Sequence, residues 1–501
     1  MSSTTLRQRL LEEFFPGSTP ANFVGGQWAT GATEDVTDPS TGMPYSTVPL
    51  TSPSDLRSAV DAAEQAQPDW SRRPLAERIE CLQAFAELLR AHGHALSVLE
   101  SVDSGNPLPA TRRDTGLALR YLRDWPAWAI AQQGRASRPF DDGLSYTVRE
   151  PYGVVGRIIA YNHPMLFAVA GMILPLLAGN TMVIKAAPQT PVATLALGRL
   201  LREALPDGVV NLLTGDGAAG DALVTDPRVK RLSFVGSEQT AVTIQGRLGA
   251  GGAVKHFTTE LGGKNAMIVA DDVDLDEAAQ AAVAGMSLTV SQGQSCQSTS
   301  RLIAHESIIE PLTARVRKLM SGLSMGVAYQ DGVQMGPLVS APHLDRVRGF
   351  LAEAEQAGAD VVECPTDDAA DRPQGGYYLA PHLVVGADPS SRVATEEIFG
   401  PVLSVHPFTT EDEALALANE VRHGLSAAVW SRDLDRALRL AHGVDAGYVW
   451  VNDANRHYPG APFGGMKGSG VGREECPEEL DSYTELKAVN VRIRPAPGGA
   501  A

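Results

Sequence analysis

The run V-V-G-R-I-I-A from Val154 to Ala160, the apolar stretch Met165 to Leu177, and T-M-V-I-K from Thr181 to Lys185 together decide the fold. A short β-branched run, a dozen residues of helical length and a second short run read as strand, helix, strand. The pattern continues outward, with an amphipathic helix over Pro191 to Ala204, a strand over Val209 to Leu213, a helix start over Ala218 to Val224 and a strand over Arg231 to Val235. Strands that alternate with helices build a mostly parallel sheet covered on both faces. A second alternating block follows Glu260. It has strands over Asn265 to Ala270, Arg301 to Ala304 and Ala427 to Trp430, and helices over Leu275 to Leu288, Ile308 to Leu323 and Leu344 to Ala357. Two α/β domains are expected.

Length agrees, because 501 residues are too many for one hydrophobic core. Lys plus Arg number 42 against 59 Asp plus Glu, a formal charge of −17, and no basic run gathers with aromatics, so nucleic acid is not an expected partner. The four cysteines, Cys81, Cys296, Cys364 and Cys476, lie far apart without a C-x-x-C pair or zinc-type histidine spacing. Neither a disulfide framework nor a metal site is expected, and the usage fits a reducing compartment. Met1 to Pro16 carries charges throughout and does not read as a secretory signal, so a cytoplasmic location is expected. Met165 to Ile184 approaches the ~20 residues of a membrane helix. Pro175, Gly179 and Asn180 interrupt it, however, and a buried helix, a turn and a strand account for it without a membrane.

Two segments fall outside this alternation. Gly134 to Val148 contains Pro139, Gly143 and an alternating Leu144, Tyr146, Val148 run that reads as a hairpin strand outside both domains. Tyr483 to Ile493 alternates through Val489, Val491 and Ile493. Both are candidates for edge-to-edge pairing between subunits, and equally for strands of an internal sheet. The tail Pro495 to Ala501 is Pro/Gly/Ala-rich and is expected to fray.

Chemistry concentrates around Cys296, in Q-G-Q-S-C-Q-S from Gln292 to Ser298, and Glu260, which opens E-L-G-G-K-N. A lone cysteine is often a small buried hydrophobe, but these glycine- and serine-rich surroundings do not resemble a core element. A reactive thiol needs a lowered pKa or a base, and a thioester formed on it needs an activated water; Glu260 is a candidate for that work. Gly215 to Gly220 matches G-x-G-x-x-G after a strand, and Gly236 with Ser237 also follows a strand and opens a helix. Either turn offers amides to a phosphate, and each reads equally as an ordinary βα turn. Lys185 ends a strand, where its ammonium reaches a ribose hydroxyl or phosphate, or caps the sheet edge. Asn162 lies beyond a strand end, where α/β sheets place ligands; its amide suits an oxyanion, and equally a structural turn.

These segments resemble, in order and across almost the whole chain, the aldehyde dehydrogenase superfamily. The family's P-W-N-F-P stands as Ala160 to Pro164, F-T-G-S as Phe234 to Ser237, E-L-G-G-K as Glu260 to Lys264 and G-Q-x-C as Gly293 to Cys296. M-G-P is Met335 to Pro337, E-E-I-F-G-P is Glu396 to Pro401, P-F-G-G-x-K is Pro462 to Lys467 and S-G-x-G-R-E is Ser469 to Glu474. The resemblance implies a Rossmann-like cofactor domain (1–127 and 149–260), an α/β catalytic domain (261–475) and a small β oligomerisation flap (128–148 and 476–501). It implies NAD(P)-dependent oxidation of a small-molecule aldehyde by a homodimer or homotetramer.

By the same resemblance Cys296 is the nucleophile, Glu260 the general base, and Asn162 the oxyanion donor, helped by the Cys296 N–H. Ile159, Ala160, Tyr161, Lys185, Pro188, Gly217, Phe234, Gly236, Ser237, Leu261, Glu397 and Phe399 are implied around the cofactor. His163, Phe167, Ser295, Gln297, His457 and Phe463 are implied around the aldehyde. The chain also departs from the family. K-P-x-E reads Lys185, Ala186, Ala187, Pro188, so the glutamate that grips the adenosine 2′-hydroxyl is missing and NADP is expected to be accepted beside NAD. Val235 replaces a common threonine, Ala241 a common glycine, and His163 the aromatic after the asparagine. A branch of the family that hands its thioester to coenzyme A typically lacks the glutamate, so Glu260 favours hydrolysis. The intact Cys296, Glu260 and Asn162 set speaks against an inactive structural relative.

Overall fold

The computed structural model describes residues 3–368 and 372–494. The tail Pro495 to Ala501 lies outside the described residues.

Helices α1 (Ser3–Phe14), α2 (Pro53–Arg72), α3 (Leu75–Ser104) and α4 (Leu108–Asp124) come early in the chain. α2 starts at Ser52, whose hydroxyl accepts from Asp55 N at 3.2 Å while the Asp55 carboxylate accepts from Ser52 N at 2.8 Å, and Pro53 supplies a preset first-turn φ. Five parallel strands follow: β1 (Val154–Ile158), β2 (Thr181–Lys185), β3 (Val210–Leu213), β4 (Val229–Val235) and β5 (His256–Glu260). Helices α5 (Pro164–Leu177), α6 (Val192–Ala204), α7 (Gly217–Thr225) and α8 (Glu238–Arg247) connect them. Lateral order is β3-β2-β1-β4-β5, so successive connections reverse direction between β1 and β4. In such sheets the ligand crevice opens beyond the strand carboxyl ends at that reversal.

Both faces of this sheet are buried, which is why its strands read as unbroken apolar runs. Val155, Met182, Ile184 and Leu212 pack with α3, α5 and α6, while Val154, Val183, Leu213 and Leu232 pack with α2 and α7. Short antiparallel strands close the edges, Asn22–Val24 beside β3 and Gly470–Val471 beside β5. The span expected as the catalytic domain thus sends one strand back to the first sheet.

The second sheet contains β6 (Ala266–Val269), β7 (Arg301–His305), β8 (His382–Val385), β9 (Val402–Phe408), β10 (Ser426–Trp430) and β11 (Tyr448–Val451). Its parallel order is β8-β9-β7-β6-β10-β11, with Asp360–Glu363 antiparallel outside β8. The helix expected over Leu275 to Leu288 ends at Gly285, and a short turn of helix over Leu288–Ser291 follows. Ser287 takes a left-handed φ of 55°, and Asn455 Nδ2, from far along the chain, donates to Ala284 O and Ser287 Oγ at 3.1 Å each. A long-range hydrogen bond overrides a local helical pattern at that point.

The two segments outside the alternation pair with each other. Thr484–Arg492 runs antiparallel to Gly143–Pro151, Thr484 opposite Pro151 through Arg492 opposite Gly143, and Ala136–Ser137 adds a third strand. Within one chain they form an internal sheet with Gly143–Pro151 in the middle, and Thr484–Arg492 is one of its two edge strands.

Candidate active site

The expected cofactor residues gather at the strand carboxyl ends. Ile159, Ala160 and Tyr161 leave β1, Lys185 closes β2 with Pro188 just beyond, and Gly217 opens α7 after β3. Phe234 lies at the end of β4, Gly236 and Ser237 follow it, and Leu261 follows β5. Across the cleft, Phe399 meets Tyr161 edge-on with ring centroids 5.8 Å apart, so the two domains face each other over these residues. Phe399 has a left-handed φ of 60°, and its carbonyl oxygen lies 2.7 Å from His343 Nε2.

The two glycine turns are not equivalent. The Asp216 carboxylate accepts from Ala218 N and Ala219 N at 2.9 and 3.1 Å, so the N-terminus of α7 already carries an anion. α8 starts with the neutral cap Ser237, whose hydroxyl accepts from Thr240 N at 3.3 Å. Of the two, the α8 turn is the one left for a phosphate.

A dinucleotide fits this cradle. Glu397 accepts from Gly263 N at 3.0 Å, and a Cβ at Gly262 would stand 2.0 Å from Glu397 Oε2, so only glycine lets that carboxylate reach the cleft floor. Burial pushes the Glu397 carboxyl up to about 7. Lys185 is buried, and among the described residues its one hydrogen bond is a 3.3 Å contact to Ala186 O. Burial lowers its ammonium to about 8, as for a group awaiting a polar partner.

A cavity of about 580 Å³ adjoins the cleft, and Cys296 and Glu260 both line it. His163, Phe167, Ser295, Gln297, His457 and Phe463 line it as well, so every residue expected around the aldehyde is there. Asn162 is not among the lining residues; it is buried in the turn after β1, its carbonyl accepting from Asn106 Nδ2 at 2.7 Å.

The Cys296 loop is clamped from below. Asn265 Nδ2 donates to Cys296 O at 2.7 Å and to Ser298 O at 2.9 Å, while Asn265 Oδ1 accepts from Ser426 N at 3.0 Å. A Cβ at Gly263 would stand 2.3 Å from Asn265 Oδ1 and 2.7 Å from Cys296 O, which accounts for the second glycine of E-L-G-G-K. Half-buried Cys296 is a free thiol. Burial, then the nearby Glu397 and Glu260 charges, push its pKa well above the ordinary thiol range, while the N–H groups of Gln297 and Cys296 pull the other way. Burial, then Glu474, likewise hold the Glu260 carboxyl well above the carboxylate range, and its Oε2 has no hydrogen-bond partner. A carboxyl so raised is a stronger base than a solvated one.

The far wall holds a second polar network. His457 Nδ1 lies 2.8 Å from Glu475 Oε2 and Nε2 lies 2.7 Å from Gln297 Oε1, and the ring stacks on Phe463 at 4.8 Å. Burial disfavours the imidazolium, but Glu475 outweighs it and raises the His457 pKa. His163 is held by Asp114, 2.7 Å from its Nδ1. Asp114 belongs to α4, a helix the motifs do not touch, yet Arg113, Leu117, Arg120 and Tyr121 also line the cavity. Their i, i+4, i+7, i+8 spacing marks one helix face and is the signal from which this wall could have been found.

A two-domain α/β protein with a nucleotide-type crevice at the sheet reversal, and a thiol beside a raised carboxyl in the adjoining cavity, has the architecture of a cofactor-dependent oxidoreductase. The family model described as the aldehyde dehydrogenase family matches residues 28–489. The aldehyde dehydrogenase tropH of Talaromyces stipitatus is 38% identical over 488 residues, covering 95% of this chain and 93% of its own. Acetaldehyde dehydrogenase 2 of Cupriavidus necator is 36% identical over 490 residues, covering 95% of each chain. The NAD+ complex of a Bacillus cereus aldehyde dehydrogenase superposes with a TM-score of 0.91 at 33% identity, covering 97% of this chain and 98% of that one. The chain belongs to the aldehyde dehydrogenase family.

Proposed function

We propose that this enzyme oxidises an aldehyde to the free carboxylic acid with NAD or NADP, using Cys296, Glu260 and Asn162. The observation that carries the reading is the shared cavity of a half-buried thiol and a carboxyl whose Oε2 is left without a partner. Lys185, Ser237 and Glu397 would hold the adenosine ribose, the pyrophosphate and the nicotinamide ribose, and Phe399 would lie against the nicotinamide ring. When bound, the nicotinamide supplies the hydride acceptor.

Glu260 takes the Cys296 proton and passes it to solvent, and the sulfur attacks the aldehyde carbon. The thiol's raised pKa means that the resting enzyme holds it protonated, protected from adventitious oxidation. The oxyanion that forms is held by the Asn162 amide and by the amide at Cys296, one of those that already reach the sulfur. After oxidation Glu260 takes a proton from water, which attacks the thioester and releases the acid. Glu260 supports hydrolysis over transfer to coenzyme A.

The four cysteines are free thiols and no helix among the described residues is long and apolar enough to cross a membrane, which supports a cytosolic setting. The unpaired outer edge of Thr484–Arg492 supports pairing between subunits, hence a homodimer or homotetramer. The test is product analysis. Aldehyde plus NAD+ without coenzyme A should give reduced cofactor and free acid in equal amounts, and Cys296→Ala should lower the rate by at least about a thousandfold. Near-normal turnover in Cys296→Ala would overturn the assignment.

A further inference from the structure

Four arginines line the cavity; Arg157 is buried and paired with Glu474, which leaves Arg113 and Arg120 on α4 and Arg456 on the loop that carries His457. Arg113 and Arg456 are exposed and Arg120 half-buried, which places them at the solvent end, above buried Ser295 and Phe463. Seven residues apart, Arg113 and Arg120 share one helix face about 10 Å from each other. Among the described residues none of the three makes an ion pair, in a chain with seventeen more acidic than basic side chains. Arg120 lies over the Tyr121 ring at 5.8 Å and acts electrostatically on its hydroxyl and on Glu475 without forming a salt bridge, while Arg456 lies over Tyr458 at 5.3 Å.

Apart from Glu260 deep beside the thiol, the carboxylates nearby have other partners. Asp114 holds His163, Glu475 holds His457, Glu474 pairs with Arg157 at 2.9 Å and Asp124 with Arg123 at 2.7 Å. Leu166, Phe167, Trp125 and Phe463 give the same cavity apolar and aromatic surface, beside the polar His163, Gln297 and His457.

We propose, resting on the aldehyde oxidation above, that the substrate is an aldehyde whose far end bears a carboxylate, seated by Arg113, Arg120 and Arg456 across an apolar or aromatic spacer. A planar guanidinium matches a carboxylate edge. Five carboxyl groups on the same walls, Asp114, Glu260, Glu474, Glu475 and Glu479, favour a singly charged end over a phosphate dianion.

The test compares kcat/KM for para-formylbenzoate and its methyl ester, and for succinate semialdehyde and butanal. Wild type should prefer the charged member of each pair by about tenfold or more, about 1.4 kcal/mol, with the preference in KM and weakened by salt. Arg113→Gln with Arg120→Gln should erase it, Arg456→Gln reduce it, and Arg120→Glu invert it. A ratio measured within one sample is independent of how much of a variant folds. Equal kcat/KM within each pair in wild type, or a preference untouched by all these variants, overturns the proposal. Protection of Cys296 from iodoacetamide by benzoate against methyl benzoate reads the charge preference without turnover, so failure of oxidation and failure of anion binding are told apart.

Discussion

Cys296 and Glu260 both have raised pKa values, Cys296 through burial and then the Glu397 and Glu260 charges, Glu260 through burial and then Glu474. The sign of the pH dependence follows. Glu260 acts as a base only when ionised, so kcat should rise with pH through an acid limb lying above the ordinary carboxylate value of about 4.3. A kcat that stays flat down to about pH 5 would contradict this. Alkylation of Cys296 in the free enzyme should likewise keep rising beyond the ordinary thiol value of about 8.5. Replacing Glu260 by Gln keeps the nucleophile and removes the base. That variant should show a slower burst of about one equivalent of reduced cofactor and then turn over about a hundredfold or more slowly, in stopped-flow absorbance.

At the scale of elements, strand ends and helix starts set the cofactor groove. Pro188, exposed just beyond β2, stands where the family carries a glutamate, and no carboxylate at that position repels a 2′-phosphate. The carboxylate that acts on Lys185 is Asp216, already engaged in capping α7. Steady-state kinetics with both cofactors should therefore give kcat/KM values within about a hundredfold, about 2.7 kcal/mol. A stronger preference for NAD would show that another group excludes the phosphate. α4 shows the opposite case, an element without a motif that supplies a whole cavity wall through Asp114 and its neighbours.

For the whole molecule, the small three-stranded sheet is where the proposed assembly is tested. Thr484–Arg492 is flanked on one side by Gly143–Pro151 and offers its other edge outward. Light scattering should give a mass of two or four chains, and truncation after Tyr483 should shift it toward one chain. A monomeric full-length protein would remove this role from the strand. Sequence alone determined the βα alternation, because apolar period and strand length are local, and it pointed to Cys296, Glu260 and six further residues that line one cavity, because close loop packing needs fixed motifs such as G-G before Lys264. Tertiary structure decided what depends on distant partners. It ended a helix at Gly285 through Asn455, paired two edge strands within one chain, and turned a face of α4, with two arginines that form no salt bridge among the described residues, toward the cavity of the thiol. Local sequence carries propensity, but which charges meet, and which are left without a partner, is set only when segments hundreds of residues apart are packed together.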